Sequence, residues 1–325
     1  MKFLYKKRDR NHIKDYQISI DDIRNAKRIL FSIFGRYGDS IIGFAGSLEF
    51  INEYPDKEYI FITSPQNYAY MYDKTKNMSN VKIFTLKKDN IFKLFYIYSY
   101  LKLNQPDLGF NSFSWSMESE FLITFAKKFS FFKNMKYDVT DNFYMLMRRY
   151  LKLTDIPLQT LSIKNKFSKI LICPDSSEGR KNLTLEQLKY FVDKYKMQDI
   201  TIAVDNKKDI NVKQFIFNKK NSNQFLNLVK EADIVICVDS GPLHIAMLYD
   251  KNIIGVFSSS SPLKVIDTNK KIKIIRNKKL YNILCEFKEC KHPECLNFIF
   301  DEEYEYNIDK ELLVIEDKCP LENNI

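Results

Sequence analysis

Residues that could bind phosphate lie at the junction of a predicted strand and a predicted helix in the second half of the chain. The run Ile234–Val238 is continuously apolar, which is typical of a strand that is covered on both faces. Asp239, Ser240 and Gly241 end this run, and Pro242 predicts a helix start because proline is tolerated in the first helical turn. The free N–H groups and partial positive charge of a helix start attract anions, so the junction predicts a phosphate site.

His244 follows about one turn into this predicted helix. Its ring and the Ser240 hydroxyl would supplement the backbone N–H groups of Ser240 and Gly241 as donors to an anion. Gly241 lets a ligand approach the backbone closely because it has no side chain. We expect Asp239 to orient the turn rather than to contact a negatively charged ligand. In the alternative interpretation this is an ordinary strand–turn–helix unit in which His244 is a polar side chain with satisfied hydrogen bonds.

Two cations stand together just before another predicted helix. Arg180 and Lys181 lie in a loop after the apolar strand predicted over residues 169–173, and Thr184 with Gln187 has the pattern of a capping box. Cations that face a diphosphate would stabilise the negative charge developing on a leaving group. A solvated basic loop is the alternative interpretation.

A carboxylate follows the first strong strand of the chain. The turn that contains Gly38 and Asp39 lies between the strand predicted over Arg28–Phe34 and a helix predicted from about residue 41 to residue 53. In this place Asp39 could cap the helix, or it could act as a general base that takes a proton from a hydroxyl group. Four of the chain's eight glycines lie within residues 35–46, which indicates either a backbone close to a ligand or a closely packed helix.

These stretches together resemble one known family. Residues 239–246, Asp-Ser-Gly-Pro-Leu-His-Ile-Ala, are similar to the Asp-Ser/Thr-Gly-x-x-His signature of glycosyltransferase family 9, the bacterial heptosyltransferase family. The Gly-Asp pair at residues 38–39, with Tyr54-Pro55 at the end of the next helix, is similar to that family's N-terminal signature. The loop that contains Lys181 resembles the family's lysine loop before a helix.

The sequence departs from the family pattern in two loops. Asn182-Leu183 stands where family members often have Trp-Pro, and Ser258–Ser261 stands where they usually have a loop containing Gly-Pro-Thr/Ser. The four serine hydroxyls could line a sugar or a phosphate, or they could form a simple turn.

The resemblance implies an inverting glycosyltransferase with the GT-B architecture, in which two doubly wound Rossmann-like α/β domains face each other across a cleft. The residue that matches Asp39 is the family's proposed catalytic base, and the lysine that matches Lys181 contacts the nucleotide phosphates. Asp205 would bind the ribose. The implied donor is a nucleotide-diphosphate sugar, with ADP-heptose favoured, and the implied acceptor is a lipopolysaccharide-core or related glycan. No cofactor for catalysis is implied, because no Asp-x-Asp pair lies in a suitable loop.

Two other classes of function fit parts of the sequence. A catalytically silent GT-B protein could bind a glycan or support an assembly, and the two altered loops leave room for that interpretation. A dinucleotide-dependent oxidoreductase fits less well, because residues 35–38 lack the full G-x-G-x-x-G pattern.

The alternation of short strands and helices predicts parallel, doubly wound sheets in both halves of the chain. A length of 325 residues suits two domains, which we place at residues 1–152 for the acceptor and 153–325 for the nucleotide sugar.

The formal net charge of +10 is concentrated in residues 1–152, which contain 25 Lys and Arg against 16 Asp and Glu. This excess predicts an anionic partner such as a phosphorylated glycan, a glycolipid or a membrane surface, although a solvated basic face is the alternative. We expect no nucleic-acid partner, because the sequence contains none of the usual motifs. An aromatic stripe in a helix predicted over residues 119–132 could lie on an anionic membrane, or it could pack on a sheet.

No apolar run approaches the roughly 18–20 residues that span a bilayer, and the N-terminus does not resemble a secretory signal. We therefore expect a cytoplasmic protein, with or without peripheral contact at the cytoplasmic face of the inner membrane.

Four of the six cysteines, Cys285, Cys290, Cys295 and Cys319, lie near the C-terminus with spacings of four, four and 23 residues. A structural metal, free thiols and disulfides remain open for this group, since its spacing is not that of a usual zinc site.

Overall fold

The computed structural model describes residues 17–87, 90–114, 116–138, 141–153, 168–218, 221–267, 270 and 272–277, and the backbone of three short strands further on. The chain forms two compact units. The first contains the chain up to Tyr137 together with Leu146–Asp155, and the second contains Asp138–Met145 together with the chain from Ile156 onward. Residues 138–145 thus belong to the second unit, although they precede the boundary predicted after residue 152.

The first unit is built on a five-stranded parallel sheet with the strand order β3-β2-β1-β4-β5. In chain order its elements are α1 (Ile20–Asn25), β1 (Arg28–Ile33), α2 (Tyr37–Glu53), β2 (Glu58–Thr63), α3 (Tyr68–Thr75), β3 (Val81–Thr85), α4 (Ile91–Leu103), β4 (Leu108–Phe110), α5 (Met117–Ile123), β5 (Lys128–Ser130) and α6 (Phe143–Tyr150), whose first three residues belong to the second unit.

Alternate residues of these strands fill separate cores on the two faces of the sheet, as the period of a strand requires. On one face the ring of Phe31 lies 5.2 Å from that of Phe61 and packs edge-on against Phe50 of α2. On the other face Leu30 packs in a buried cluster with Ile97 of α4.

Two glycines of α2 let that helix pack closely on its neighbours. A Cβ at Gly43 would lie 2.6 Å from the carbonyl oxygen of Ser112, and one at Gly46 would lie 2.5 Å from Cγ of Met147. At these two positions the glycine-rich stretch therefore serves helix packing, which was one of its two predicted roles.

The predicted elements are wrong in one region of the first unit. The helix predicted over residues 119–132 ends at Ile123, and Lys128–Ser130 form the parallel strand β5 beside β4 instead. Phe129 and Phe131 are two residues apart and pack with Ile123, so their spacing belongs to a strand and not to a helix face. Among the described residues 135–138 there is no strand, although one was predicted there.

The second unit is built on a seven-stranded sheet with the order β13-β11-β10-β9-β6-β7-β8, in which only the pairing of β13 with β11 is antiparallel. In chain order its elements are β6 (Lys169–Cys173), α7 (Leu185–Lys194), β7 (Asp199–Val204), β8 (Lys213–Ile216), α8 (Ser222–Glu231), β9 (Ile234–Val238), α9 (Gly241–Leu248), β10 (Asn252–Phe257), α10 (Pro262–Val265), β11 (Lys273–Arg276), β12 (Ile283–Cys285), β13 (Glu303–Glu305) and β14 (Val314–Glu316).

Strands β6, β9 and β10 are the centre of this sheet, and their side chains are almost all buried. This agrees with the continuous apolar runs from which the strands were predicted. No helix among the described residues is both long enough and apolar enough to cross a membrane.

Candidate functional site

The strand order places the predicted phosphate-binding residues at a reversal point of the second sheet. The chain runs from β6 to β7 and β8 on one side, and then returns to β9 and β10 on the other side of β6. In doubly wound sheets, ligands bind outside the carboxyl ends of the strands at such a point. The loops after β6, β9 and β10 leave from neighbouring strands at that edge, so we take them as the candidate site.

Lys181 and Asp239 form a buried ion pair that joins two of these loops. Lys181 Nζ lies 2.8 Å from Asp239 Oδ2 and 3.5 Å from Glu178 Oε2. Burial raises the pKa of Asp239, but Lys181, His244 and Ser260 together outweigh burial, so the pKa of this carboxyl group lies below its usual value. Arg180 pairs with Glu178 at 3.1 Å. Both predicted phosphate-binding cations are therefore ion-paired in the structure.

The loop after β6 is held in shape by hydrogen bonds within itself and at its end. The backbone N–H of Ser176 donates to Asn182 Oδ1 at 2.7 Å, and the N–H of Leu183 donates to the carbonyl of Pro174. The predicted capping box of Thr184 and Gln187 is confirmed, with distances of 3.2 and 2.8 Å. Lys181 thus extends from a defined turn between a buried strand and a capped helix.

The start of helix α9 forms the next part of the site. Ser240 is the N-cap residue in extended conformation, and its hydroxyl donates to the carbonyl of Val238 at 3.2 Å without capping the helix. Gly241 is the first helical residue and Pro242 follows it. No glycine in the described part of the chain has a positive φ. Gly241 therefore has an ordinary backbone conformation, and it would help a ligand to bind only because it has no side chain.

His244 lies on α9 and is only 5% exposed. Its Nδ1 lies 3.0 Å from the hydroxyl of Tyr144, which is also buried and belongs to the second unit. Burial lowers the pKa of His244 to about 4. The Asp239 carboxylate acts in the opposite direction and raises this pKa, but its effect is smaller. The imidazole is therefore neutral at neutral pH, and it can donate one hydrogen bond and accept another.

Sequence reasoning did not identify Tyr144, because nothing in the sequence connects it to a histidine 100 residues away. Asn142 holds its segment in place. The Asn142 amide donates to the carbonyls of Leu263 and Ile266 at 2.6 and 2.7 Å, and its side-chain oxygen accepts from the N–H of Tyr144 at 3.0 Å. A ring contact between Lys264 Nζ and Phe143, at 5.1 Å, adds to this attachment.

The serine run follows β10 at the same edge of the sheet. Among the described residues, the buried hydroxyls of Ser258, Ser259 and Ser261 have no hydrogen-bond partner in the protein. Ser260 lies beside Asp239 and contributes to the low pKa of that carboxyl group. Buried polar groups normally find partners, so these hydroxyls favour a site for a polar ligand over a simple turn.

Asp205, the predicted ribose-binding residue, is exposed at the carboxyl end of β7. Its backbone N–H donates to Asp175 Oδ2 at 3.0 Å, and Asp175 also pairs with Lys208 at 3.0 Å. Burial and the neighbouring Asp175 raise the pKa of Asp205. The structure thus places Asp205 directly after the strand next to β6, on the side away from β9.

In the first unit Asp39 is the third residue of α2, directly after β1. Strand β1 lies between β2 and β4, so Asp39 also stands at a reversal point of its own sheet. Arg36 occupies the N-cap position, and Asp39 therefore does not cap the helix. The helix begins at Tyr37, earlier than the predicted start at about residue 41, which puts Gly38 and Asp39 in its first turn.

Polar groups and a cavity surround this end of the first sheet. Within the described residues the buried hydroxyls of Ser32, Ser40 and Ser64 have no partner in the protein. A cavity of about 510 Å³ lies at the ends of β4 and β5, and its lining residues include Phe110, Ser130, Phe131, Arg149 and Lys152. Sequence reasoning predicted a basic first domain but not this cavity.

The four C-terminal cysteines, for which a structural metal, free thiols and disulfides were left open, lie outside the described side chains. The side chain of Cys285 and all of Cys290, Cys295 and Cys319 lie outside the described residues. Elsewhere, in the part of the chain that is described, no group of three or more His, Cys, Asp or Glu side chains could hold a metal ion. Cys173 and Cys237 are free and buried, and burial raises the pKa of both thiols.

Comparison with known proteins finds a family match within the second unit. Residues 193–296 match the model of glycosyltransferase family 9 (heptosyltransferase), a segment that includes Ser240, Gly241 and His244 but not Lys181 or Asp39. No curated protein matches the chain.

Solved structures of family members have the same fold as the chain. Those of E. coli heptosyltransferase WaaC with ADP and E. coli ADP-heptose lps heptosyltransferase II are 10% and 14% identical, both with a TM-score of 0.57. The alignments cover 76% and 77% of this chain and 93% and 90% of those chains. A family 9 glycosyltransferase from Veillonella parvula is 12% identical with a TM-score of 0.54, over 73% of this chain and 82% of that chain.

At these identities the structural likeness establishes the fold, and the predicted GT-B class of two doubly wound α/β units is confirmed. The family match over residues 193–296 supports a glycosyltransferase. Together they confirm the resemblance found in the sequence: residues 193–296 match glycosyltransferase family 9 (heptosyltransferase), and the chain has the fold of solved heptosyltransferases.

Proposed function

We propose that the protein is an inverting transferase that moves a heptose from ADP-heptose to a lipopolysaccharide-core or related surface glycan. The observation that carries the proposal is the convergence at one edge of the second sheet. A lysine, a helix start and a run of buried hydroxyls without protein partners follow the neighbouring strands β6, β9 and β10. Such a set of donors suits a diphosphate joined to a sugar.

The solved structures support the nature of the donor. E. coli WaaC has been solved with ADP and with ADP-2-deoxy-2-fluoro heptose, and its fold is shared by this chain. By analogy we assign the nucleotide diphosphate to the second unit. The nucleotide base and the sugar are part of the proposal and rest on this analogy.

In the proposed reaction the acceptor hydroxyl oxygen attacks the anomeric carbon while the bond from that carbon to the diphosphate oxygen breaks. Asp39 receives the hydroxyl proton as general base. The negative charge that appears on the departing diphosphate is stabilised by Lys181 and Arg180 and by the N–H groups of Ser240 and Gly241. A single displacement inverts the anomeric centre and needs only one carboxylate.

The ion pairs of the donor site give Lys181 and Arg180 a defined place before the ligand arrives. Lys181 is held between Asp239 and Glu178, so an incoming diphosphate meets a positioned ammonium group and not a mobile one. His244 is neutral, so it contributes a hydrogen bond without a charge. In this proposal Asp239 pairs with Lys181 and does not contact the diphosphate.

The acceptor side of the proposal rests on the first unit. Residues 1–152 hold most of the excess positive charge, and the cavity lined by Arg149 and Lys152 combines cations with aromatic side chains. This combination suits an anionic glycan or glycolipid, because aromatic rings cover sugar faces while cations pair with phosphate or carboxylate. We place the reaction in the cytoplasm, where nucleotide sugars are used.

The experiment that tests the proposal is calorimetric titration of the protein with ADP, UDP, GDP and CMP, without added metal. We expect selective binding of ADP that is lost in Lys181→Met. The matched control is Lys169→Met, which removes an exposed lysine 3.8 Å from Glu231 at the opposite end of β6. Preference for another nucleotide would refute the ADP-heptose donor, and binding of none would refute the phosphate site. Binding of ADP without transfer from ADP-heptose would instead favour the catalytically silent GT-B protein.

A further inference from the structure

Helix α4 exposes an unusual amount of apolar surface. Its residues Leu94, Ile97 and Leu101 are buried against the sheet of the first unit. The opposite side exposes Phe92 (91%), Phe95 (60%), Tyr96 (59%) and Leu103 (86%), which we call the outer face of α4. Single exposed apolar residues are ordinary, but a contiguous group of large ones marks an interaction surface.

The spacing of these residues makes the outer face a continuous stripe along the helix. Phe92 lies three and four residues before Phe95 and Tyr96, and Leu103 follows seven residues after Tyr96. Residues at these spacings share one side of a helix. Because α4 has 13 residues, the stripe is about 20 Å long, and it is parallel to the helix axis. Such a shape suits a flat partner better than a narrow pocket.

The charges around the outer face are positive. Helix α4 contains Lys93 and Lys102 and no acidic residue, and Lys82 and Lys87 stand before it as exposed lysines. The ammonium groups of Lys102 and Lys82 lie over aromatic rings of the same helix, at 5.5 Å from Tyr98 and 4.2 Å from Tyr100. An apolar stripe with lysines along its edges is typical of a surface that rests on anionic lipid headgroups.

The acidic groups of the adjoining helix α5 do not make the surroundings of the outer face negative. Helix α5 carries Glu118 and Glu120, and Glu120 is paired with Lys133 at 2.7 Å. A second copy of the chain is a poorer occupant, because pairing two outer faces would bring the lysines of α4 in one copy close to those in the other. Residues 1–152 as a whole also have an excess of positive charge.

We propose that the outer face of α4 docks in the plane of an anionic lipid bilayer. The rings of Phe92, Phe95 and Tyr96 would enter the boundary between headgroups and acyl chains, where aromatic side chains are favoured. The lysines at the edges would remain among the anionic headgroups. This surface replaces the stripe predicted over residues 119–132, which does not form a single helix. The proposed docking on a bilayer does not depend on which sugar or nucleotide the protein uses.

The test is sedimentation of the full chain with vesicles of phosphatidylglycerol and phosphatidylcholine, compared with vesicles of phosphatidylcholine alone. We expect binding to the anionic vesicles that weakens at high salt. The variant Phe92→Ser/Phe95→Ser/Leu103→Ser should lose at least about tenfold in partitioning, because burial of large apolar side chains supplies most of the binding. The matched control is Tyr68→Ser/Tyr72→Ser, which removes an exposed stacked pair from α3 on the opposite face of the same sheet.

A second variant keeps the test informative if the triple variant folds poorly. Phe92→Trp should show quenching of its fluorescence by brominated acyl chains beyond that of the parent protein, whose single tryptophan is Trp115. Equal vesicle binding of the parent and a folded triple variant would overturn the proposal. So would a parent protein that ignores vesicles and forms dimers that the triple variant disrupts, since the occupant would then be a second copy.

Discussion

The hydroxyl of Tyr144 lies 3.0 Å from Nδ1 of His244, and both side chains are buried. In a neutral imidazole, Nδ1 either accepts from this hydroxyl, with the ring proton on Nε2, or donates to it, with the ring proton on Nδ1. In either tautomer the tyrosine orients the ring and leaves Nε2 as the nitrogen that can meet a ligand. We regard Tyr144 as a positioning residue, because it acts through His244 and has no assigned contact with the substrate.

Removal of this hydroxyl should weaken the donor site without unfolding it. We expect Tyr144→Phe to reduce ADP affinity about fivefold, since one hydrogen bond is lost and the ring of His244 becomes free to change tautomer. Calorimetry measures the affinity, and nitrogen NMR of labelled histidine reports the tautomer. The parent should show one dominant tautomer and the variant a mixture. An unchanged tautomer in the variant would contradict the role given to Tyr144.

The low pKa of His244 should make stability fall in mildly acidic solution. Burial lowers this pKa from 6.5 to about 4, so between these values the unfolded chain binds a proton that the folded chain does not. Stability should therefore decrease as pH falls through this window, by up to about 3 kcal/mol. Urea unfolding at several pH values measures the loss. His244→Gln, which cannot titrate, should lose clearly less, and an equal loss in both proteins would assign the effect to other groups.

The ion pair of Lys181 and Asp239 should affect stability as well as binding. Lys181→Met leaves a buried carboxylate without its cation, and we expect a loss of about 2–3 kcal/mol in the free energy of unfolding. The double variant Lys181→Met/Asp239→Asn should recover more than half of this loss, because the uncompensated charge is removed, but it should not recover ADP binding. Chemical denaturation measures the first effect and calorimetry the second. Lys169→Met should cost less than about 0.5 kcal/mol, since its pair is exposed.

The proposed catalytic base can be separated from the donor site. Asp39→Asn keeps the size of the side chain and removes its basicity, so we expect transfer to slow by a factor of about 10² to 10⁴. Binding of ADP should be unchanged, because Asp39 belongs to the first unit and the assigned donor residues belong to the second. Release of ADP from ADP-heptose in the presence of a lipopolysaccharide-core acceptor measures the rate. A variant with normal transfer would show that another group takes the proton.

The packing of α2 should depend on the absence of a side chain at Gly43. A Cβ there would lie 2.6 Å from the backbone carbonyl of Ser112, which cannot move as a side chain could. We expect Gly43→Ala to lower the free energy of unfolding by about 1–2 kcal/mol, even though alanine favours the helix. Gly179→Ala is the matched control, because nothing lies within 4 Å of its added Cβ. Urea denaturation compares the two variants, and equal stabilities would refute the close contact.

The sequence by itself determined the fold class, because continuous apolar runs such as Ile234–Val238 must be strands covered on both faces. It also carried the resemblance to glycosyltransferase family 9, because residues 239–244 combine a strand end, a turn and a helix start in one short local pattern. The same holds for the capping box of Thr184 and Gln187, whose geometry involves only neighbouring residues.

Only the tertiary structure decided which distant groups meet. The contacts of Lys181 with Asp239 and of Tyr144 with His244 depend on strand order and helix placement, which no local pattern encodes. The aromatic spacing of residues 121–129 predicted a helix, yet pairing with β4 makes part of this stretch a strand, since tertiary pairing outweighs local preference there. Exposure of the outer face of α4 also follows from tertiary packing, because a helix that is apolar on all sides has no sequence signal for the side that remains uncovered.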